Sequence, residues 1–233
     1  MTKIQQSICR VCGDKSTVKI NLFKGIFLRK FSNYLSRDSD WVNIYCKNCN
    51  SFSHYPKSKS VLVKYADSSY RLEINENKTP ISLPWSTITF LRSQHIFKLL
   101  SKTNFSKKFS KKESLTHLDY GGYNGFTAYG LRPLLNINET IIADLDPNGL
   151  RIAEALGMRA LDLSKQSLSE INPSSIDITT VVHVLEHLEN PRNELLIIKK
   201  TLKENGIIYV EVPNAFGTSL YDPAHLINFS INS

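Results

Sequence analysis

The sequence has 233 residues, of which 41% are hydrophobic, and a formal net charge of +8; that is enough apolar material for one full domain plus a small one. No run approaches the roughly 20 apolar residues of a membrane span, and residues 1–7 lack a signal-peptide core, so a cytoplasmic protein with no membrane partner is expected. The charge is uneven: residues 1–113 hold 21 Lys and Arg against 7 Asp and Glu, and the remainder holds 8 against 14. A basic front half favours acidic partners, although part of the excess sits in one lysine-rich run from Lys102 to Lys112 that reads equally well as a solvated stretch.

The four cysteines form two Cys-x-x-Cys pairs, Cys9 with Cys12 and Cys46 with Cys49. In a reducing cytosol such pairs hold metal more often than they form disulfides. The two-residue gap lets two thiolates bind one ion from a single knuckle, and two knuckles supply the four ligands that close a tetrahedral structural zinc site. The 33-residue spacer between the pairs exceeds the usual range of about 15–20, so it is expected to carry a folded, β-rich insert. A dithiol redox site and unliganded thiols are the competing assignments. A four-cysteine site has no open position, which makes its role structural or recognitive.

Residues 60–71 then read as a connector, helical at first, and Pro80 and Pro84 punctuate the chain. Apolar residues at Ile88, Leu91, Ile96, Leu99 and Leu100 predict an amphipathic helix of about four turns, followed by a polar linker over 101–112. The domain expectation is a zinc module with its connector over 1–75, a helix and linker over 76–113, and an α/β domain over 114–233.

From Ser114 onward, strand and helix alternate. Strands are predicted at 115–120, 140–145, 176–184 and 206–212, and helices at 127–135, 148–156 and 191–203, with Pro191 suited to a first helical turn. Such alternation implies right-handed βαβ units on a parallel sheet. The first strand runs into Tyr120-Gly121-Gly122-Tyr123-Asn124-Gly125, a glycine turn of the kind that lets backbone approach a ligand closely. About twenty residues on, a second strand ends in Asp144-Leu145-Asp146, where an acid can accept hydrogen bonds from both hydroxyls of a ribose.

The segment Asp119-Tyr120-Gly121-Gly122-Tyr123-Asn124-Gly125 resembles the D-x-G-x-G-x-G motif of class I S-adenosylmethionine-dependent methyltransferases, with Tyr123 in place of the middle glycine. Val184-Leu185-Glu186-His187-Leu188 resembles that family's signature after the fourth strand, residues 202–208 its turn before the fifth, and Val210-Glu211-Val212-Pro213-Asn214 completes the match. The resemblance implies a Rossmann-like sheet. It also implies that Gly121 and Gly125 line the methionine part of the cofactor and that Asp119 fixes the turn and is a candidate partner for the ammonium group. Asp146, ranked ahead of Asp144, would grip the ribose, and Asp162 would lie near the adenine. A four-cysteine module followed by Phe52-Ser53-His54-Tyr55-Pro56 and then a class I domain resembles the sugar C-methyltransferases, which act on nucleotide-linked keto-sugars. Class I domains usually continue with a helix and an antiparallel pair after the fifth strand, so a sheet truncated after that strand is expected.

Chemistry is expected where strands end. Candidates are His183, Glu186, His187 and, after the fifth strand, His225. His183 or His225 can serve as a general base titrating near neutrality. Alternatively, His183, Glu186, His187 and His225 resemble the Glu-x-x-Glu-His metal cluster of some O-methyltransferases, with His183 replacing the first acid. A third assignment gives Glu186 and His187 a packing role. The leading expectation is methyl transfer from S-adenosylmethionine to a small polar metabolite such as a nucleotide sugar. An RNA acceptor, and a non-catalytic partner subunit that binds the cofactor, are the rivals; oligomeric state is left open.

Overall fold

Every residue of Leu115–Tyr120 except Thr116 is buried, the pattern of a strand covered on both faces. The computed structural model describes residues 8–19, 41–56, 83–107, 114–214, 225–230 and 233. In chain order the elements are β1 (Thr17–Lys19), β2 (Trp41–Cys46), β3 (Phe52–Pro56), α1 (Leu83–Leu100), β4 (Leu115–Tyr120), α2 (Phe126–Leu135), β5 (Ile137–Asp144), α3 (Pro147–Ala155), β6 (Arg159–Asp162), β7 (Ile176–Val182), α4 (Pro191–Thr201), β8 (Leu202–Glu211) and β9 (Ile227–Asn228). Short 3₁₀ turns cover Leu168–Glu170 and Leu185–His187. Among the described residues no helix is long and apolar enough to cross a membrane. The connector expected over 60–71 lies outside the described residues.

The chain divides into two compact units. One comprises Arg71–Val184 and Leu195–Glu211 and holds a five-stranded sheet in the order β6-β5-β4-β7-β8. Every pairing in it is parallel, which is the α/β, Rossmann-like sheet that the strand and helix alternation implies. The chain fills one side of β4 with β5 and β6, then returns to the other side with β7 and β8. Strand order therefore reverses between β4 and β7, the place where open α/β sheets bind ligands.

Two apolar clusters hold helices to this sheet. Ile96 and Leu100 of α1 join Phe105, Leu115, Leu131, Leu135, Ile137 and Ile178, while Ala128, Ile142, Leu150, Ala153 and Met158 form the second. Phe105 thus belongs to a core, although it lies in a stretch expected to be linker. The helix expected after Pro84 is present, but Ile88, Leu91 and Leu99 are exposed. The reason is a close approach through small residues: Ser93 is fully buried, its Oγ lies 2.9 Å from the carbonyl oxygens of Thr89 and Thr127, and a Cβ on Gly130 would come within 2.5 Å of that Oγ. Packing through Ser93 and Gly130 rotates the apolar stripe of α1 partly out of the contact.

Strand ends follow ladder partners more than local composition. β5 starts at Ile137, ahead of the expected Thr140, because Leu115 pairs with Ile137, and it stops at Asp144, the partner of Asp162. β8 begins at Leu202, inside the expected turn, because Leu202 pairs with Ile176 before the register shifts.

The other unit comprises Met1–Tyr70, Leu185–Glu194 and Val212–Ser233. Its four-stranded sheet runs β1-β2-β3-β9 with antiparallel pairings that set Thr17 opposite Cys46, Ile44 opposite Ser53, and Ser53 opposite Ile227.

Candidate functional site

β4 ends at Tyr120 and the backbone turns through two left-handed glycines, Gly121 at φ 74° and Gly125 at φ 72°. A Cβ on Gly121 would collide with Val184, and one on Gly125 with Met158 and, at 3.2 Å, with Ile142. The protein's own packing therefore demands these two glycines, in addition to any ligand. Tyr123, where the motif carries glycine, adopts φ 50°, a conformation that L residues visit at a cost. Its ring lies over α3, where a Cβ on Gly149 would come within 2.5 Å of Tyr123 Cδ2; Gly149 makes room for the departure from the motif.

Acids crowd the carboxyl ends of the three strands around this turn. Asp119 is buried; its Oδ1 accepts from the Thr180 hydroxyl at 2.7 Å, and its Oδ2 sits where a Cβ on Gly122 would come within 2.6 Å. Burial and then the nearby Asp144 charge push Asp119 up to about 6 against the opposing Thr180 bond. Asp144, also buried, accepts from the Tyr123 amide at 2.8 Å with Oδ2 and from the Asp146 amide at 2.9 Å with Oδ1. It ties the glycine turn to the start of α3. Asp146 is the N-cap of α3: its Oδ1 accepts from the amides of Asn148 at 2.8 Å and Gly149 at 3.3 Å, with Pro147 in the first turn. It lies outside β5, so strand alternation does not relate it to Asp144. Asp162 accepts from Lys165 Nζ at 2.8 Å, from the Ser164 hydroxyl at 2.5 Å and from the Ser164 amide at 3.0 Å; the lysine bond and then the hydroxyl bond hold it at about 2.

On the other side of the strand reversal, His183 follows β7 with φ 54°. Its Nε2 lies 3.2 Å from Glu211 Oε1 and 3.3 Å from Arg92 Nη2. Glu211, the last residue of β8, also meets Arg92 Nε at 3.2 Å and accepts from the Tyr209 hydroxyl at 3.1 Å. The His183 hydrogen bond, then the Arg92 guanidinium, hold Glu211 down at about 2 despite burial, while burial and the Glu211 charge push Tyr209 up to about 12.

In the unit that carries the antiparallel sheet, Cys9 Sγ lies 3.7 Å from Cys49 Sγ, and Cys12 Sγ lies 3.7 Å from Cys46 Sγ. These separations are far beyond a disulfide bond and match the edge of about 3.8 Å of a sulfur tetrahedron with 2.3 Å bonds to zinc. The Asn50 and Cys46 turn closes one knuckle, Asn50 N–H donating to the Cys46 carbonyl at 2.9 Å, and Gly13 N–H closes the other on the Cys9 carbonyl at 3.0 Å. Burial pushes the Cys46 thiol up to about 12, so a bound cation is what would keep it a thiolate.

The same unit brings together Glu186, His187 and His225, with one ligand atom from each lying within 4.8 Å of the others. Glu186 and His225 are buried and His187 is exposed. The two imidazoles meet edge to face with centroids 5.0 Å apart, and the Leu226 amide donates to the Glu186 carbonyl at 2.7 Å. Among the described residues His183 is not grouped with these three; in the parallel-sheet unit it meets Glu211 and Arg92.

A family model described as a methyltransferase domain matches residues 90–227, more than half of the chain. The chain belongs to that methyltransferase family. Its parallel sheet is the Rossmann-like sheet of the class I enzymes, and its four cysteines fit a zinc module. Similar solved structures include the YcgJ protein from Bacillus subtilis, at 20% identity over 55% of this chain and 62% of that one with a TM-score of 0.43. A SAM-dependent methyltransferase from Archaeoglobus fulgidus matches at 22% identity over 57% and 61% with a TM-score of 0.43, and another from Aquifex aeolicus at 16% identity over 57% and 78% with a TM-score of 0.41. The chain spans about three fifths of the length of the first two, 62% and 61%. No curated protein matches the sequence.

Sequence reasoning missed four residues that the structure brings to the strand ends: Arg92, Thr180, Tyr209 and Glu211. Glu211 stood inside a quoted motif and, as an acid at the end of a strand, carried a usable signal. Thr180 lies in a run of apolar and β-branched residues, and Arg92 reaches the sheet edge from a helix that the sequence left as a separate element; neither position signals its partner.

Proposed function

We propose that the protein transfers a methyl group from S-adenosylmethionine to a small polar acceptor, with a nucleotide-linked sugar as the substrate class. The observation that carries the proposal is the glycine turn Gly121–Gly125 at the strand reversal, underlain by the carboxylates of Asp119 and Asp144. That donor set suits a cofactor bearing an ammonium, a sulfonium and a ribose diol, all of which offer positive charge or hydrogen-bond donors. When bound, the cofactor supplies an electrophilic methyl group for in-line displacement.

In this proposal Asp119 faces the ammonium across the turn, and Gly121 and Gly125 give it a backbone lining. Asp146 and Asp144 share the task of orienting the ribose, the first through the oxygen left over from capping α3 and the second by holding Tyr123 in place. Asp162 marks the adenine end. His183 is the proton acceptor for the acceptor molecule, because ionised Glu211 at 3.2 Å orients its ring and stabilises the imidazolium that forms. The convergence of Glu186, His187 and His225 favours a second assignment, in which these three hold a divalent cation; metal analysis of His187→Ala against the parent separates it from a packing role. Cys9, Cys12, Cys46 and Cys49 hold a structural zinc ion, and reduced thiols of this kind suit the cytoplasm.

The test is calorimetry with S-adenosylmethionine followed by mass spectrometry of products from a panel of nucleotide sugars. Binding and a mass gain of one methyl group on a sugar support the proposal. An RNA acceptor would instead show steep salt dependence, with a log–log slope near −0.7 per phosphate on single strands, together with methyl incorporation into RNA. Tight binding without transfer to any acceptor favours a partner-subunit role.

A further inference from the structure

Three polar side chains occupy the centre of the parallel sheet, where apolar residues pack at no desolvation cost. His117 and Asp119 lie on β4, and Thr180 lies beside Asp119 on β7. His117 and Thr180 are fully buried, and Asp119 is 3% exposed. Violations of binary patterning on this scale concentrate at functional sites. These bridge the two strands between which strand order reverses.

With Asp119 ionised, the hydrogens in the chain have one consistent arrangement. Thr180 Oγ1 donates its single proton to Asp119 Oδ1 at 2.7 Å, so at 2.8 Å the same oxygen must accept from His117 Nε2–H. The other ring nitrogen, Nδ1, has no hydrogen-bond partner among the described residues, which costs less for a bare acceptor than for an N–H. Burial holds His117 down at about 3, so the ring stays neutral. Every donor therefore points toward Asp119. The groups facing that carboxyl are His117 on its own strand, Thr180 from β7 and the Asp144 carboxylate from β5; Thr180 is the one that favours the ionised form.

We propose that His117 and Thr180 are positioning residues for cofactor binding: they pin Oδ1 of Asp119, so that Oδ2 is presented at Gly122 to the cationic part of the cofactor. This rests on the cofactor assignment made above. The relay acts through Asp119 alone, and its donors cannot be replaced by apolar isosteres.

The decisive experiment follows the Asp119 side-chain carbon by NMR titration in the full-length, metal-loaded protein, alongside S-adenosylmethionine affinity by calorimetry at pH 6 and pH 7. Thr180→Val should raise the Asp119 midpoint by about one pH unit and weaken the cofactor about twofold at pH 7 and about fivefold at pH 6 through the lost ionised fraction. Thr180→Ser, which keeps the hydroxyl, should restore both values. His117→Phe should move the midpoint in the same direction by less, and His117→Gln, which keeps a donor, should move it least. In an Asp119→Asn background, Thr180→Val should add no further loss of affinity. If Thr180→Val fails to fold, the contrast between His117→Phe and His117→Gln carries the test. Identical titrations in parent and variants, or an affinity loss that persists in the Asp119→Asn background, overturn the relay. A parent that binds no S-adenosylmethionine overturns the cofactor assignment instead, and with it the purpose of the relay, whatever the titrations show.

Discussion

The four-cysteine cluster and the glycine turn each gather ionisable groups at tight turns, and they stabilise them by opposite means. At the cysteines, the sulfurs stand 3.7 Å apart in pairs; burial disfavours the thiolates of Cys46 and Cys49, while hydrogen bonds lower Cys9 to about 7 against its burial, so a bound cation would stabilise the charges that burial opposes. At the glycine turn, the buried carboxylate of Asp144 is met by two backbone amides and that of Asp119 by a hydroxyl. That turn can form without a ligand, and Asp119 still carries a penalty for its charge that a cationic cofactor would relieve. The difference sets a cluster whose charges a bound cation would stabilise against one that the protein's own hydrogen bonds already hold.

The largest expected effect breaks the first half of that contrast. The purified protein should contain about one zinc per chain, and Cys9→Ser or Cys46→Ser should lose it. Structural zinc sites of this type bind with on the order of 10 kcal/mol, so chelation should abolish hydrogen-exchange protection of β1, β2 and β3 while the parallel sheet keeps its own. Equal protection with and without metal would remove zinc from the account.

Gly125→Ala tests whether the turn is built by the protein's packing. Left-handed strain and collision with Met158 and Ile142 should together cost about 2–4 kcal/mol of stability in the absence of cofactor. Urea denaturation of the cofactor-free protein reads this directly; a neutral result would mean that the turn acquires its shape only from a ligand.

Asp146 separates capping from recognition. Asp146→Ala should cost about 1 kcal/mol of stability through the lost N-cap and weaken S-adenosylmethionine by about 1–3 kcal/mol. Asp146→Ser should recover the stability while leaving the affinity low. If both variants bind as the parent does, the ribose is held by Asp144 alone.

The smallest effect concerns Glu211. Its pKa lies near 2, below its ordinary value of 4.5, so the folded state favours the ionised form. That contribution is complete above pH 4.5 and disappears as pH falls toward 2. The parent should therefore lose about 1 kcal/mol over this window, allowing for partial exposure, and Glu211→Gln should lose none of it. Parallel acid-denaturation profiles would show that the His183, Arg92 and Glu211 cluster contributes nothing to the fold.

Much of the architecture is a property of local sequence. The run 115–120 gave its strand to the residue, although His117 and Asp119 interrupt its apolar pattern, because the glycine turn from Gly121 ends it. Pro147 and Pro191 start helices because a fixed φ and a missing N–H suit a first turn. Asp146 shows where local reasoning stops. An acid two residues beyond a strand end reads as a ribose ligand, yet its distance from Pro147 and Gly149 makes it equally a cap, and the structure shows it capping.

The sequence by itself determined the parallel α/β unit, the glycine turn at the end of its first strand and the two cysteine knuckles. The segments, the turn and the knuckles depend on conformations within a few residues, which periodicity and residue type encode directly, and the alternation of strand with helix implies the parallel pairing. Only the tertiary structure decided that Thr180 bonds Asp119 across 61 residues and that Arg92 reaches Glu211 across 119. It also placed Ile227 beside Ser53 and Ser230 against the Cys49 carbonyl at 2.9 Å, so that the last described residues complete the cysteine-bearing sheet. It assigned Leu185–Glu194, with Glu186 and His187, to the cysteine-bearing unit and left His183 in the parallel-sheet unit. Such pairings are set by how the chain closes long loops on a packed core, and no local pattern records which residues will meet.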